Sequence, residues 1–286
     1  MVRRFRFGVN LVASGGGRQW ADTCRRAEQL GYDVLLVPDH LGPGVPAPFP
    51  ALVAAGAATE RVRLGTFVLN AGFWNPALLA REVDTTARLT GGRLELGLGT
   101  GYVRDEFEDA GLVWESAGAR VDRLRALVDE LHRRLGAQQV PLLVAGNGDR
   151  VLRLAADRAD TVAFAALTLV PGSSAGELRL VDPATLADRA QLVTAAAGRD
   201  VERNVLVQWV EITDDRRGAA DRLRDQLGLD LDVEQLLALP TVLLGTVDEI
   251  ADQLRAHRQH LGVSYVAVLE RDVETFAPVL EALSGE

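Results

Sequence analysis

Short apolar runs recur along the chain, and between them apolar residues fall three and four positions apart. The first pattern predicts buried strands and the second amphipathic helices. Strands are expected at residues 5–11, 34–37, 62–69, 93–98, 140–144, 161–164, 205–212 and 265–269. Trp20, Cys24, Ala27 and Leu30 share a helical face that Gly31 ends, and a second helix is expected over 51–59. Asn75-Pro76 reads as an N-cap followed by proline at the first helical position, opening a helix to about Leu89. Val121, Leu124, Val128, Leu131 and Leu135 form an apolar stripe between arginines, and another helix begins near Asp149. Thr246 and Glu249 have capping-box spacing, Gly262 stops that helix, and a last helix covers 273–283. Strand and helix thus alternate about eight times, which predicts one closed (β/α)8 TIM barrel, an α/β fold, over residues 1–286. An open doubly wound sheet would carry a glycine fingerprint after its first strand, and Ser14-Gly15-Gly16-Gly17 does not match it.

Composition narrows the functional classes. A net charge of -9 argues against a nucleic-acid partner, and no run is apolar and long enough to span a membrane. The lone Cys24 excludes an internal disulfide and fits a cytoplasmic location. All 31 basic Lys/Arg positions are arginine, which with abundant Ala, Gly, Val and Leu points to a genome rich in G and C. No His/Cys/carboxylate group has metal-ligand spacing, so no metal is expected.

Candidate chemistry sits where the predicted strands end. His40 follows Asp39 just after the second strand, at the expected mouth, and its imidazole can carry a proton near neutral pH. The other histidines, His132, His257 and His260, lie in Arg-rich helical segments and are expected to be solvated. After the fourth strand, Gly99-Thr100-Gly101 lets the backbone lie against a flat ligand, and Tyr102, Arg104, Asp105 and Glu106 follow. Glu106 is either a second acid-base group or the ion-pair partner of Arg104. Phe73 and Trp74 line a substrate cavity or pack in the core. Gly146-Asn147-Gly148 leads into a helix and can offer backbone N–H groups to an anion, or is a plain helix start. Ser14-Gly15-Gly16-Gly17 is a lid or a connecting loop. Trp209 and Glu211 fall near the end of the seventh strand with their register open.

Five segments in order, RRAEQLGYDVLLVPDHL, TERVRLGTFVLN, NPALLAREVDTTARLTGGRLELGLGTGY with Glu106, PLLVAGNGDRVLRLAADRAD and LLGTVDEIADQLRAHRQHLGVSYVAVL, resemble the luciferase-like monooxygenase superfamily, in particular its coenzyme F420-dependent oxidoreductases. The resemblance implies a flavin or F420 at the carboxyl ends of the strands, and the G+C-rich composition favours F420, as in actinobacteria, with FMN as the alternative. It implies that Asp39 and His40 lie close to the deazaflavin and that Glu106 matches the acidic position after the fourth strand. Tyr102 stands where relatives often have Trp, stacking on cofactor or substrate. A non-prolyl cis peptide is implied near Asn70-Ala71, backing the ring system. The cofactor phosphate is placed at Gly146, Asn147 and Gly148, with Arg150 the nearest cation for a phosphate or polyglutamate tail. The implied activity is hydride transfer to or from a small organic substrate at C=O, C=C or C=N, with proton transfer by His40. Two rivals remain: an FMN-dependent monooxygenase fed by a separate flavin reductase, and a non-catalytic flavin- or deazaflavin-binding protein. A homodimer is suggested by the same resemblance. Many relatives carry an extended segment before the fifth strand, whereas here Leu135 and Val140 are nearly adjacent.

Overall fold

The computed structural model describes residues 3–12, 15–136, 140–170, 172–173 and 177–286. Among these, eight parallel strands close into a barrel: β1 (Arg6–Asn10), β2 (Val34–Val37), β3 (Arg63–Thr66), β4 (Leu94–Gly99), β5 (Leu142–Gly146), β6 (Thr161–Phe164), β7 (Glu202–Leu206) and β8 (Val263–Leu269). Each pairs with the next, and β8 closes on β1 with Arg6 opposite Tyr265 and Asn10 opposite Leu269. Around them run α1 (Gly17–Gln29), α2 (Pro48–Ala58), α3 (Pro76–Leu89), α4 (Arg104–Asp109), α5 (Ala117–Leu135), α6 (Asp149–Arg158), α7 (Pro183–Ala196), α8 (Arg216–Leu227), α9 (Val233–Leu237), α10 (Val247–Leu261) and α11 (Val273–Ala282).

The strands read as continuous apolar runs because both of their faces are covered. Phe7, Val9, Leu35, Val37 and Leu64 point outward into the layer shared with the helices, where Trp20, Cys24 and Ala27 of α1 meet them. Val34, Leu36, Leu143, Ala163, Tyr265 and Ala267 form a separate cluster inside the barrel. That interior is narrow. A Cβ on Gly97 would stand 2.1 Å from the Thr66 carbonyl oxygen, so glycine is what lets β3 and β4 approach. At the amino ends of the strands Arg6 bonds Glu95 at 2.8 Å and Glu202 at 3.0 Å, and lies 4.6 Å from the centre of the Tyr265 ring. This charged layer closes the bottom of the barrel and leaves the carboxyl ends of the strands as the open face.

Helix signals behave as local chemistry dictates. The Asn75 side chain accepts from the N–H groups of Ala77 and Leu78, and Thr246 and Glu249 form both hydrogen bonds of the capping box. Strand boundaries moved more. The expected strand 62–69 breaks at a non-prolyl cis peptide, Phe67-Val68, beyond which Leu69–Asn70 pairs with Leu98 and Gly99. The cis bond therefore precedes Asn70-Ala71, where it was expected. The expected strand 205–212 changes partner: Val207 still bonds the Ala267 carbonyl, but Gln208 and Trp209 bond Thr241, and Trp209–Ile212 pairs with Val242–Gly245 in a sheet of two strands. Leu167–Leu169 and Leu178–Leu180 make an antiparallel hairpin beyond β6. Ser14 of the glycine-rich loop and residues 137–139 of the short connection lie outside the described residues.

Candidate active site at the mouth of the barrel

β2 ends at Val37, and the next residues stand at the open face. Asp39 is buried, and its Oδ2 accepts from the Asn70 N–H at 3.1 Å and the Trp74 Nε1–H at 2.9 Å. Burial pushes this carboxyl upward, while the two donors and the neighbouring His40 pull it down. Asp39 therefore ties the end of β2 to the bulge beyond β3. Asn70 in turn accepts from the Gly72 N–H at 2.9 Å and caps the single turn Ala71–Phe73.

His40 Nδ1 lies 2.9 Å from Glu106 Oε1, and the Leu41 N–H donates to the same oxygen at 3.2 Å. Glu106 thus pairs with His40; Arg104 is engaged one turn along α4 with Glu108, at 2.7 Å. A carboxylate on Nδ1 holds that nitrogen as the N–H and leaves Nε2 as the exchanging atom. Nε2 faces the Tyr102 hydroxyl at 3.4 Å, and the two rings meet edge to face at 83°. Burial and the Glu106 charge push the Tyr102 phenol upward, so it stays protonated as a donor. More than sixty positions separate His40 from Tyr102 and Glu106 in the sequence; the closure of β2, β3 and β4 brings the three together.

One wall of the mouth is bare backbone. Thr100 leads into Gly101, whose φ is +73° and whose Cβ would lie 2.4 Å from Asn70 Oδ1. Only glycine suits that position, and it leaves a flat surface beside the bulge at Asn70 and Ala71. Phe73 and Trp74 are half-buried: Phe73 packs on Phe107 with centroids 5.3 Å apart, and Trp74 packs edge-on against Phe49. At the end of the adjacent strand β5, Gly146, Asn147 and Gly148 precede α6, whose N-cap Gly148 supplies no side-chain cap. The first N–H groups of α6 are available to an anion there. Asn147 itself is occupied, donating to the Leu167 carbonyl and accepting from Arg189 Nη1 at 3.0 Å. Arg150 turns away to Asp122 on α5.

Two groups absent from the sequence reading stand here. Asn10 occupies the last inward position of β1, following Arg6 and Gly8 at strand spacing, and its buried Oδ1 has no partner among the described residues. Arg189 of α7 is the cation beside the α6 start, with burial lowering its affinity for the proton and Asp182 and Asp149 raising it. The flat glycine wall, the unpartnered Asn10 oxygen, an acceptor, and the donor N–H groups of the uncapped α6 start fit a planar, phosphate-bearing cofactor.

His257 departs from its expected solvation. It is buried, and desolvation pushes its imidazole down to about 4. It lines a cavity of about 450 Å³ with Pro183, Leu186, Arg216 and Leu237, outside the barrel and away from the mouth. Among the described residues no helix is long and apolar enough to cross a membrane.

Comparison with known proteins agrees with this architecture. The family model for luciferase-like monooxygenases matches residues 1–265. An F420-dependent glucose-6-phosphate dehydrogenase of Intrasporangium calvum is 41% identical over 133 residues, which is 43% of this chain and 40% of that protein. One from Kribbella flavida is 40% identical over 121 residues, 40% of this chain and 36% of that protein. The matched region therefore spans well under half the length of these curated relatives. An F420-dependent secondary alcohol dehydrogenase solved with an F420-acetone adduct has a TM-score of 0.75 at 17% identity, over 98% of both chains. A coenzyme F420-dependent tetrahydromethanopterin reductase from Methanopyrus kandleri has a TM-score of 0.73 at 15% identity, over 99% of this chain and 100% of that one. Matched over nearly its whole length by the family model, and closed into the parallel barrel of these structures, the chain belongs to the luciferase-like monooxygenase family.

Proposed function

We propose that this protein is an F420-dependent oxidoreductase acting on a small organic substrate. The observation that carries the proposal is His40, whose Nδ1 is held by Glu106 at 2.9 Å so that Nε2 is presented at the mouth. Gly101, Asn70 and Ala71 would support the ring system, and Asp39 would hold that bulge in place through Asn70 and Trp74. Gly146, Gly148 and the start of α6 would receive the phosphate, with Asn147 orienting Arg189 beside it rather than binding directly. Thr100, at the end of β4, would border the ring, and Phe73, Trp74 and Tyr102 would border the substrate. Arg150 is assigned a structural pairing with Asp122.

When bound, the deazaflavin supplies hydride to a carbonyl carbon, or accepts it from the alcohol, and is itself oxidised or reduced by two electrons. The protein supplies the proton. In the reducing direction the C=O electron pair moves to oxygen, which takes the proton from His40 Nε2 while Tyr102 donates a hydrogen bond. In the oxidising direction the same nitrogen accepts it. Glu106 keeps the imidazole in one orientation throughout. The relatives named as F420-dependent dehydrogenases support this cofactor over FMN.

The test is a fluorescence titration of ligand-free protein with oxidised F420 and, separately, with FMN. Saturable binding of F420 at lower concentration than FMN is expected. Preference for FMN, with substrate-linked oxygen consumption in the presence of a flavin reductase, would replace the proposal by a monooxygenase; F420 binding without turnover over a panel of alcohols, ketones, enones and imines would reduce it to a binding protein.

A further inference from the structure

We infer that the protein has a second ligand site, outside the barrel between α7 and α10, which takes a compact uncharged molecule with an apolar body and a hydroxyl group. The cavity there has a volume of about 450 Å³ and is walled by Pro183, Leu186, Leu237, Pro240 and Leu261. α7 and α10 supply two of its sides, and the link from α9 to the strand Val242–Gly245 supplies a third. None of its lining residues belongs to the groups gathered around His40, so the inference stands apart from the cofactor at the mouth.

Most polar side chains around the cavity already have partners. Gln253 Nε2 donates to the carbonyls of Leu237, Leu239 and Val242 at 3.0, 3.3 and 2.8 Å, and its Oε1 accepts from Arg216 Nη2 at 2.9 Å. Glu249 accepts the Thr246 N–H at 2.8 Å, and Asp252 accepts from Arg255 at 2.8 Å. His260 is exposed at the rim. Two atoms in side chains of the wall are different: Arg216 Nε and His257 Nδ1 are buried without a hydrogen-bond partner among the described residues. His257 is only 8% exposed, so bulk water does not complete its bonding. Unpaired buried polar atoms are costly, and two in the wall of one largely apolar cavity mark where a ligand completes the bonding.

The chemistry of this pair selects the ligand. The His257 ring is neutral at pH 7, because burial holds it near 4, and the Ala238 carbonyl beside it favours its N–H. Nδ1 is then left as an acceptor, whereas Arg216 Nε is a donor. The Arg216 charge acts on the same ring, so the two side chains are neighbours. A hydroxyl both donates and accepts, and so suits both atoms. A carboxylate would suit Arg216 alone while facing the Nδ1 lone pair and the Glu249 and Asp252 carboxylates; an ammonium would face Arg216.

The experiment titrates the full chain calorimetrically at pH 7 with 2-naphthol, naphthalene and 2-naphthoate. 2-Naphthol is expected to saturate one site per chain, binding about fivefold tighter than naphthalene and at least about tenfold tighter than 2-naphthoate. His257→Phe keeps a ring in the wall but removes the acceptor, so it should weaken 2-naphthol about fivefold and leave naphthalene unchanged. Ala256→Trp fills the cavity from a half-buried position on α10 and should abolish binding of both, with the urea midpoint showing that each variant is folded. In the parent chain, nitrogen NMR should show His257 Nδ1 moving from an unbonded to a hydrogen-bonded position as 2-naphthol is added. Absence of saturable 2-naphthol binding, binding untouched by Ala256→Trp, or 2-naphthoate binding as tightly as 2-naphthol would each overturn the inference. An unmoved His257 Nδ1 resonance would overturn it without recourse to any variant.

Discussion

His40 can be assigned a role because its two ring nitrogens are in different surroundings. Nδ1 is held by a carboxylate that also accepts a backbone N–H, and Nε2 faces a phenol at long hydrogen-bond distance. His40→Ala is expected to lower turnover by about 10²–10⁴-fold while the F420 Kd changes little; turnover within twofold of the parent would remove His40 from the chemistry. Glu106→Gln keeps the shape and the acceptor for Leu41 but not the charge, so turnover should fall about tenfold, again with cofactor binding preserved. Both residues are legible in the sequence as polar groups after predicted strands. Their partnership is not, because nothing local distinguishes Glu106 bonded to His40 from Glu106 bonded to Arg104. Asn10 was legible in principle from its inward parity with Arg6 and Gly8, whereas Arg189 was not, since only the packing of α7 against α6 sets it beside Asn147.

Elements that cap and stop themselves with their own side chains were readable directly. Asn75, Thr246, Glu249 and Gly262 interact within one turn, so the local sequence contains the whole interaction. Asn75→Ala removes the acceptor for the Ala77 and Leu78 N–H groups and is expected to destabilise the fold by about 1 kcal/mol, seen as a lowered urea midpoint with an unchanged slope. An unchanged midpoint would mean that solvent caps α3 as well as Asn75 does. Strands behaved differently. The run 205–212 is apolar enough to be one strand, yet from Gln208 its hydrogen bonds pass from β8 to Thr241 and the strand Val242–Gly245 that follows it, and only those partners fix where β7 ends.

At the scale of the whole molecule the barrel separates two regions with different demands. The amino ends are sealed by Arg6, Glu95 and Glu202, and the carboxyl ends stay open with the candidate chemistry. Outside the barrel His257 is a buried imidazole held near 4, against about 6.5 in an unfolded chain, so the unfolded state binds more protons between those values. Stability contributed by the neutral ring is present above about pH 6.5 and is lost as pH falls toward 4, by about 3 kcal/mol in all. Urea denaturation at pH 7 and pH 4 should therefore show a smaller acid loss in a His257→Asn variant than in the parent; equal losses would mean that the imidazole is hydrated in solution.

What the sequence determined by itself was the alternation of strand and helix, the barrel it implies and the identity of the polar residues at the strand ends. Periodicity and capping act over a few residues, so one chain carries them in full. Tertiary structure alone decided that Glu106 holds His40, that Asp39 ties β2 to Asn70 and Trp74, that Arg189 rather than Arg150 stands by Asn147, and that His257 is buried. Each of these depends on groups brought together from distant parts of the chain, and hydrogen bonds and desolvation respond to distance in space rather than to separation in sequence.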